Sequence, residues 1–135
     1  MRYFYIDTEN RSLNTWVTTL RRLKKTDTVY VVYTQNSAKL PVEASELFIG
    51  SEATFVYYEA LVGHANALDF ALVSILAERV QTATRSEHYI ISADKGYESA
   101  IDYLRHKCPY IWLAHALSIA LKNKPAETKH LLTIQ

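Results

Sequence analysis

The strongest constraint on this chain is a repeated alternation. Short runs of β-forming residues are each followed by a polar break and then by apolar residues at helical spacing. Tyr3 to Ile6 is the first run. Asp7-Thr8-Glu9-Asn10-Arg11-Ser12 breaks it, and Leu13, Trp16, Val17, Leu20 and Leu23 then fall on one helical face. Thr28-Val29-Tyr30-Val31-Val32-Tyr33 is almost uninterrupted β-former, the pattern of a strand covered on both faces. Pro41 can open a short helix carrying Glu43 and Glu46, because proline lacks only an N–H that a first helical turn leaves unpaired anyway. Thr54 to Tyr58 predicts a third strand. Asn66 to Val80 predicts a long central helix, with Asn66 as N-cap and Leu68, Phe70, Leu72, Val73, Leu76 and Val80 in a broad apolar stripe. Tyr89-Ile90-Ile91 is the fourth strand, and Ser92-Ala93-Asp94-Lys95-Gly96 turns it into a helix bearing Tyr97, Ala100, Ile101 and Leu104. Tyr110-Ile111-Trp112 is a fifth strand, followed by a last helix from Ala114 to Leu121. Repeated strand-then-helix units imply parallel strands joined by right-handed crossovers, hence a three-layer α/β/α sandwich around a mainly parallel sheet.

Residues 1–135 are read as a single domain, since 49% of them are apolar and that suffices for one sizeable core. Three glycines and three prolines leave little room for linkers. Fifteen basic residues against fourteen acidic give a net charge of +1, so a nucleic-acid partner must be held by local groups rather than by bulk charge. The one cysteine, Cys108, excludes a disulfide within the chain and reads as a small apolar filler. The first residues meet Asp7 too soon for a secretory signal, and no apolar run approaches the ~18 residues of a membrane span. These features predict a cytoplasmic protein with no membrane partner.

In parallel sheets ligands gather at the carboxyl ends of the strands. Asp7 follows the first strand, Asp94 follows the fourth, and Asp69 lies in the first turn of the central helix, so all three can face one edge. Gathering carboxylates without cations raises their pKa values and weakens the fold. A divalent cation removes that cost, and Mg²⁺ and Mn²⁺ favour a few oxygen ligands completed by water. The chemistry that follows is phosphodiester hydrolysis by metal-activated water. Each acid also has a structural explanation: Asp69 favours the helix dipole, Asp94 suits a turn before glycine, and Asp7 can cap the next helix.

The segments Tyr5-Ile6-Asp7-Thr8-Glu9-Asn10, Asn66-Ala67-Leu68-Asp69-Phe70 and Ile90-Ile91-Ser92-Ala93-Asp94-Lys95-Gly96-Tyr97 resemble, in order, those of PIN-like domains, including the related NYN group. That resemblance implies a Rossmann-like sheet and an acidic Mg²⁺ or Mn²⁺ site that cleaves single-stranded RNA. By motif position Asp7, Asp69 and Asp94 are its metal-holding acids. The family adds an acid on a short helix after the second strand, where Glu43 and Glu46 compete; Glu43 lies nearer the helix start and is preferred. Asn10, Lys95 and Asn66 are the candidate substrate contacts, although Glu9 and Asn10 could equally cap the first helix. The resemblance also leaves open a homodimer and a protein partner or inhibitor.

Two other readings compete: a catalytically silent PIN-like module that binds RNA or a protein, and a phosphohydrolase using Asp7 as a phosphorylated nucleophile. Against the latter, Asp7-Thr8-Glu9 lacks a second aspartate. His64, His88, His106, His115 and His130 lack metal-ligand spacing and read as surface or core residues. Most of the ten tyrosines fall in strand patterns and read as sheet packing.

Overall fold

The structure is a computed structural model that describes residues 1–9, 17–35, 51–61 and 66–122, excepting the side chains of residues 17 and 18. Its strands are β1 (Arg2–Asp7), β2 (Thr28–Tyr33), β3 (Thr54–Glu59), β4 (Glu87–Ile91) and β5 (Ile111–Ala114). Its helices are α1 (Val17–Leu20), α2 (Ala67–Thr82) and α3 (Glu98–Leu104), the last preceded by a 3₁₀ turn over Lys95–Tyr97. Residues 117–122 are also helical, so the final helix begins later than Ala114, which closes β5. The helix expected after Pro41, with Glu43 and Glu46, lies outside the described residues, as does Asn10.

All strand pairs are parallel, in the order β3-β2-β1-β4-β5. The chain winds outward from β1 to β3, then returns through α2 to lay β4 on the other side of β1. This reversal opens a crevice between the carboxyl ends of β1 and β4, the place where open parallel sheets bind ligands.

Alternation of side chains along the strands builds a separate core on each face. Phe4, Ile6, Val29, Val31, Tyr89, Ile91 and Trp112 pack on one side with Leu20, Leu23, Leu117 and Ala120. Tyr5, Val32, Ile90 and Ile111 face the other side, beneath Leu68, Leu72, Leu76 and Val80 of α2 and Ile101 and Leu104 of α3. The chain is therefore the expected three-layer sandwich. By the same alternation Asp7 and Ser92 fall on the α2 and α3 face, and this decides what they meet.

Two patterns differ from expectation. Phe70 is 69% exposed, so the buried stripe of α2 is narrower than the run of apolar residues suggested. β3 is an edge strand, which leaves Val56, Tyr57 and Tyr58 exposed, so not every strand tyrosine serves the core. Cys108 is buried as a filler, and its thiol is pushed up by desolvation.

The amino end of the sheet is closed by an ion pair. Arg2 Nε and Nη2 donate to the two oxygens of Asp27 at 2.9 and 2.7 Å, and the Lys24 amide donates to the same carboxylate. Asp27→Ala strands Arg2 and an amide together and should destabilise the fold by about 3 kcal/mol, measured by urea denaturation.

A second buried group sets a pH dependence. His88 Nε2 donates to the Ala83 carbonyl and Nδ1 accepts from the Tyr5 hydroxyl, because a carbonyl can only accept. Burial holds the imidazole below its ordinary pKa of 6.5. The unfolded chain thus takes up the proton first as pH falls. Stability should be full above that value and decline toward about pH 5, a slope that His88→Gln should flatten in denaturation curves at both pH values.

Candidate active site

The crevice is organised around one buried carboxylate. Asp7, the last residue of β1, is fully enclosed. Its Oδ1 accepts from the Glu9 amide at 3.1 Å, and its Oδ2 accepts from the Ser92 hydroxyl at 3.0 Å and the Tyr97 hydroxyl at 2.9 Å. A charge removed from water needs such donors, or folding loses several kcal/mol.

Two of these donors come from the six residues after β4. Ser92 Oγ donates to Asp7 and accepts from the Asp94 amide at 3.0 Å. Asp94 then caps the 3₁₀ turn, its Oδ1 accepting from the Gly96 amide at 2.8 Å. Glycine suits the close approach here, since a Cβ at residue 96 would stand 3.0 Å from Asp94 Oδ1 and press that carboxylate to shift. The turn aims Tyr97 back beneath α2, where it is buried.

Asp69 reaches the same point from above. It lies in the first turn of α2, and Tyr97 Oη donates to its Oδ1 at 3.1 Å. One phenolic proton therefore serves two carboxylates. Burial, then the charges of Asp7 and Asp69, push the tyrosine far above its ordinary range, so it remains a donor. Burial also raises Asp69, reinforced by the charges of Asp7, Asp94 and Glu9 and opposed by the Tyr97 hydrogen bond. A helix N-terminus favours a carboxylate by about 0.3–1 kcal/mol, and desolvation and like charge act against it here.

The crevice thus brings Asp7 and Asp69 onto one hydroxyl, with Asp94 and Glu9 near enough for their charges to bear on Asp69. Among the described residues neither Asp69 nor Asp94 is ion-paired. The remaining candidates are more peripheral. Asn66 holds the N-cap position of α2 in a left-handed conformation (φ 65°), which asparagine tolerates, but its side chain makes no capping bond and is exposed. Lys95 is exposed and lines a cavity of about 420 Å³ with Ser92, Glu98 and His115. Glu43 and Asn10 lie outside the described residues.

Sequence reasoning missed three participants. Spacing marks Tyr97 as core and Ser92 as turn, and leaves Glu9 as an alternative helix cap; Glu9 accepts from the Thr34 hydroxyl just after β2 at 3.2 Å and bears on Asp69, while the start of the first helix lies outside the described residues. The available signal for Ser92 was its side-chain parity with Ile90, which puts it on the Asp7 face.

A protein-family model described as a PIN domain matches residues 1–109, which include Asp7, Asp69 and Asp94. The chain belongs to the PIN domain family. No curated protein and no solved structure matches it. PIN domains are generally nucleases and typically use divalent metal ions.

The donor chemistry of this PIN domain fits such an ion: the converging groups are carboxylates, the hard oxygen ligands of Mg²⁺ and Mn²⁺, and Mg²⁺ is commonly held by one or two of them with water and phosphate. As they stand, no three His, Cys, Asp or Glu side chains among the described residues are gathered to enclose a metal. The Tyr97 hydroxyl lies against both Asp7 and Asp69, and Asp94 is folded onto the Gly96 amide.

The electrostatic cost of this PIN domain's acids is measurable. Asp69→Asn keeps an acceptor for Tyr97 while removing a charge, so it should raise the melting temperature of metal-free protein by a few degrees. The stabilisation that Mn²⁺ gives the parent should shrink in the same variant. Thermal melts with chelator and with Mn²⁺ test both; a lower metal-free melting temperature for Asp69→Asn would show that the charges do not repel.

Proposed function

We propose that this PIN domain is a metal-dependent endoribonuclease that hydrolyses phosphodiester bonds of single-stranded RNA. The observation that carries the reading is the convergence of Asp7 and Asp69 on one hydroxyl at the reversal of the sheet, with further carboxylates beside them and, among the described residues, no ion pair on Asp69 or Asp94. Such an arrangement weakens the fold and suits a cation.

Asp7, Asp69 and Asp94 would hold Mg²⁺ or Mn²⁺, with Glu43 as a further acid. The bound ion would supply charge neutralisation at the phosphate and a water of lowered pKa. The chain's own groups do the positioning. Asp7 is held rigid by its three donors, and Asp69 is carried on a long helix packed against β1 and β2. Lys95 and Asn66, both exposed, and Asn10 would contact phosphate or sugar, contacts that fix register without reading sequence. We place the reaction in the cytoplasm. Among the described residues no helix is long and apolar enough to cross a membrane.

A silent PIN-like module that binds RNA or a protein partner is favoured by one observation, the lack of an assembled three-acid group among the described residues. Cleavage separates the two readings. Asp7→Asn is a poor probe, because its amide would face the Glu9 N–H or a hydroxyl donor inside the fold. Asp69→Asn and Asp94→Asn keep their hydrogen-bond acceptors. Each should lower turnover of unstructured RNA roughly a thousandfold, about 4 kcal/mol of transition-state stabilisation, while RNA affinity at matched salt is retained. Cleavage that persists in chelator would refute the metal mechanism, and RNA binding without cleavage by the parent would establish the silent module.

A further inference from the structure

We infer that Tyr97 is a positioning residue of the acidic site, whose hydroxyl holds Asp7 and Asp69 together so that the pair is ready to take up a divalent cation. The inference rests on the metal-site reading above and adds a residue that chemistry alone would not select, since a neutral phenol is no ligand for Mg²⁺.

Three observations lead to it. First, Oη lies 2.9 Å from Asp7 Oδ2 and 3.1 Å from Asp69 Oδ1, so the two oxygens can be no farther apart than two hydrogen bonds laid end to end. Second, the two acids differ in freedom. Asp7 is enclosed and carries donors on both oxygens, whereas Asp69 is only partly buried and its side chain has no other hydrogen bond among the described residues. Without the hydroxyl, repulsion from Asp7, Asp94 and Glu9 would turn Asp69 outward to water. Third, the phenol itself is fixed. The residue is buried in the core cluster that also holds Leu68, Ile101 and Leu104, and the backbone that aims it is locked by Asp94 on the Gly96 amide and by Ser92 on the Asp94 amide. A fixed donor that reaches the less buried of the two carboxylates reduces the ordering that ion binding must otherwise impose. Groups that orient metal ligands in this way change affinity by about tenfold to a hundredfold when removed.

The test is Mn²⁺ binding, read by titration calorimetry on the parent, Tyr97→Phe and Ser92→Ala, together with ¹³C NMR of the aspartate carboxyls in metal-free protein. Phenylalanine keeps the ring and its packing and removes only the hydroxyl. Tyr97→Phe should weaken Mn²⁺ binding about tenfold or more and shift the Asp7 and Asp69 carboxyl signals. The Asp94 signal should stay in place. Ser92→Ala removes a donor to Asp7 and an acceptor for the Asp94 amide but leaves the Tyr97 hydroxyl in place, so it should move the Asp69 signal less than Tyr97→Phe does. A merely structural tyrosine would lower the melting temperature without moving the Asp69 carboxyl or the Mn²⁺ affinity. Parental Mn²⁺ affinity in Tyr97→Phe overturns the positioning role and leaves the metal site standing. Tighter binding also overturns it, by showing that the hydroxyl obstructs the ion. A parent that binds no Mn²⁺ removes the metal-site reading itself and this role with it.

Discussion

The enclosed carboxylate of Asp7 is the constraint around which the carboxyl edge of the sheet is built. A negative charge with no access to water is tolerated only when its oxygens are met by donors. Here those donors come from the chain just beyond β1, from Ser92 beyond β4 and from Tyr97 at the end of the 3₁₀ turn. Satisfying one charge therefore couples the parallel pairing of β1 and β4 to the shape of the turn that follows β4. The coupling extends one strand further, because the Ser92 amide donates to the Ala114 carbonyl at the end of β5.

The two ends of the sheet treat buried acids in opposite ways. At the amino end Asp27 receives a two-pronged guanidinium and a backbone amide, a closed arrangement in which charge is neutralised within the fold. At the carboxyl end the acids share neutral donors, and Asp69 is left with a raised pKa. The first arrangement closes on itself and has no use for a ligand. The second gathers like charges, which raise the pKa of Asp69, an arrangement common at sites with functional chemistry. Tyr97 and Ser92 make the arrangement possible, since hydroxyls satisfy oxygen lone pairs without cancelling charge.

The proposed nuclease chemistry and the Tyr97 role are linked by rigidity. A cation gains most from ligands already in place, because less conformational freedom is lost on binding. β1 fixes Asp7 through its ladder with two neighbours, whereas Asp69 extends from the first turn of a helix and is only partly buried. The hydroxyl between them transfers the rigidity of the sheet to the helix.

Much of the fold was legible in the chain because hydropathy and residue type act locally. The strands at Tyr3–Ile6, Thr28–Tyr33 and Tyr89–Ile91 declare themselves through β-formers, and their separation by helical stripes demands parallel crossovers. Asp7, Asp69 and Asp94 could be named because a strand end and a helix start are visible in sequence. Phe70 was misplaced because an apolar residue inside an apolar run carries no mark of its outward angle once the stripe is broad. The edge position of β3 was hidden for a similar reason, since strand order follows from how crossovers pack and not from the strand's own residues. Tyr97 shows the limit most plainly. Its spacing to Ile101 and Leu104 fits an apolar helix face and its ring behaves accordingly, but a phenol has an apolar body and a polar tip, and only the tip's surroundings decide its use. Sequence alone determined the layers, the parallel strands and the acids at their carboxyl ends. Only the tertiary structure decided that one hydroxyl would meet two of those acids, because that meeting depends on segments far apart in the chain being brought within hydrogen-bond reach.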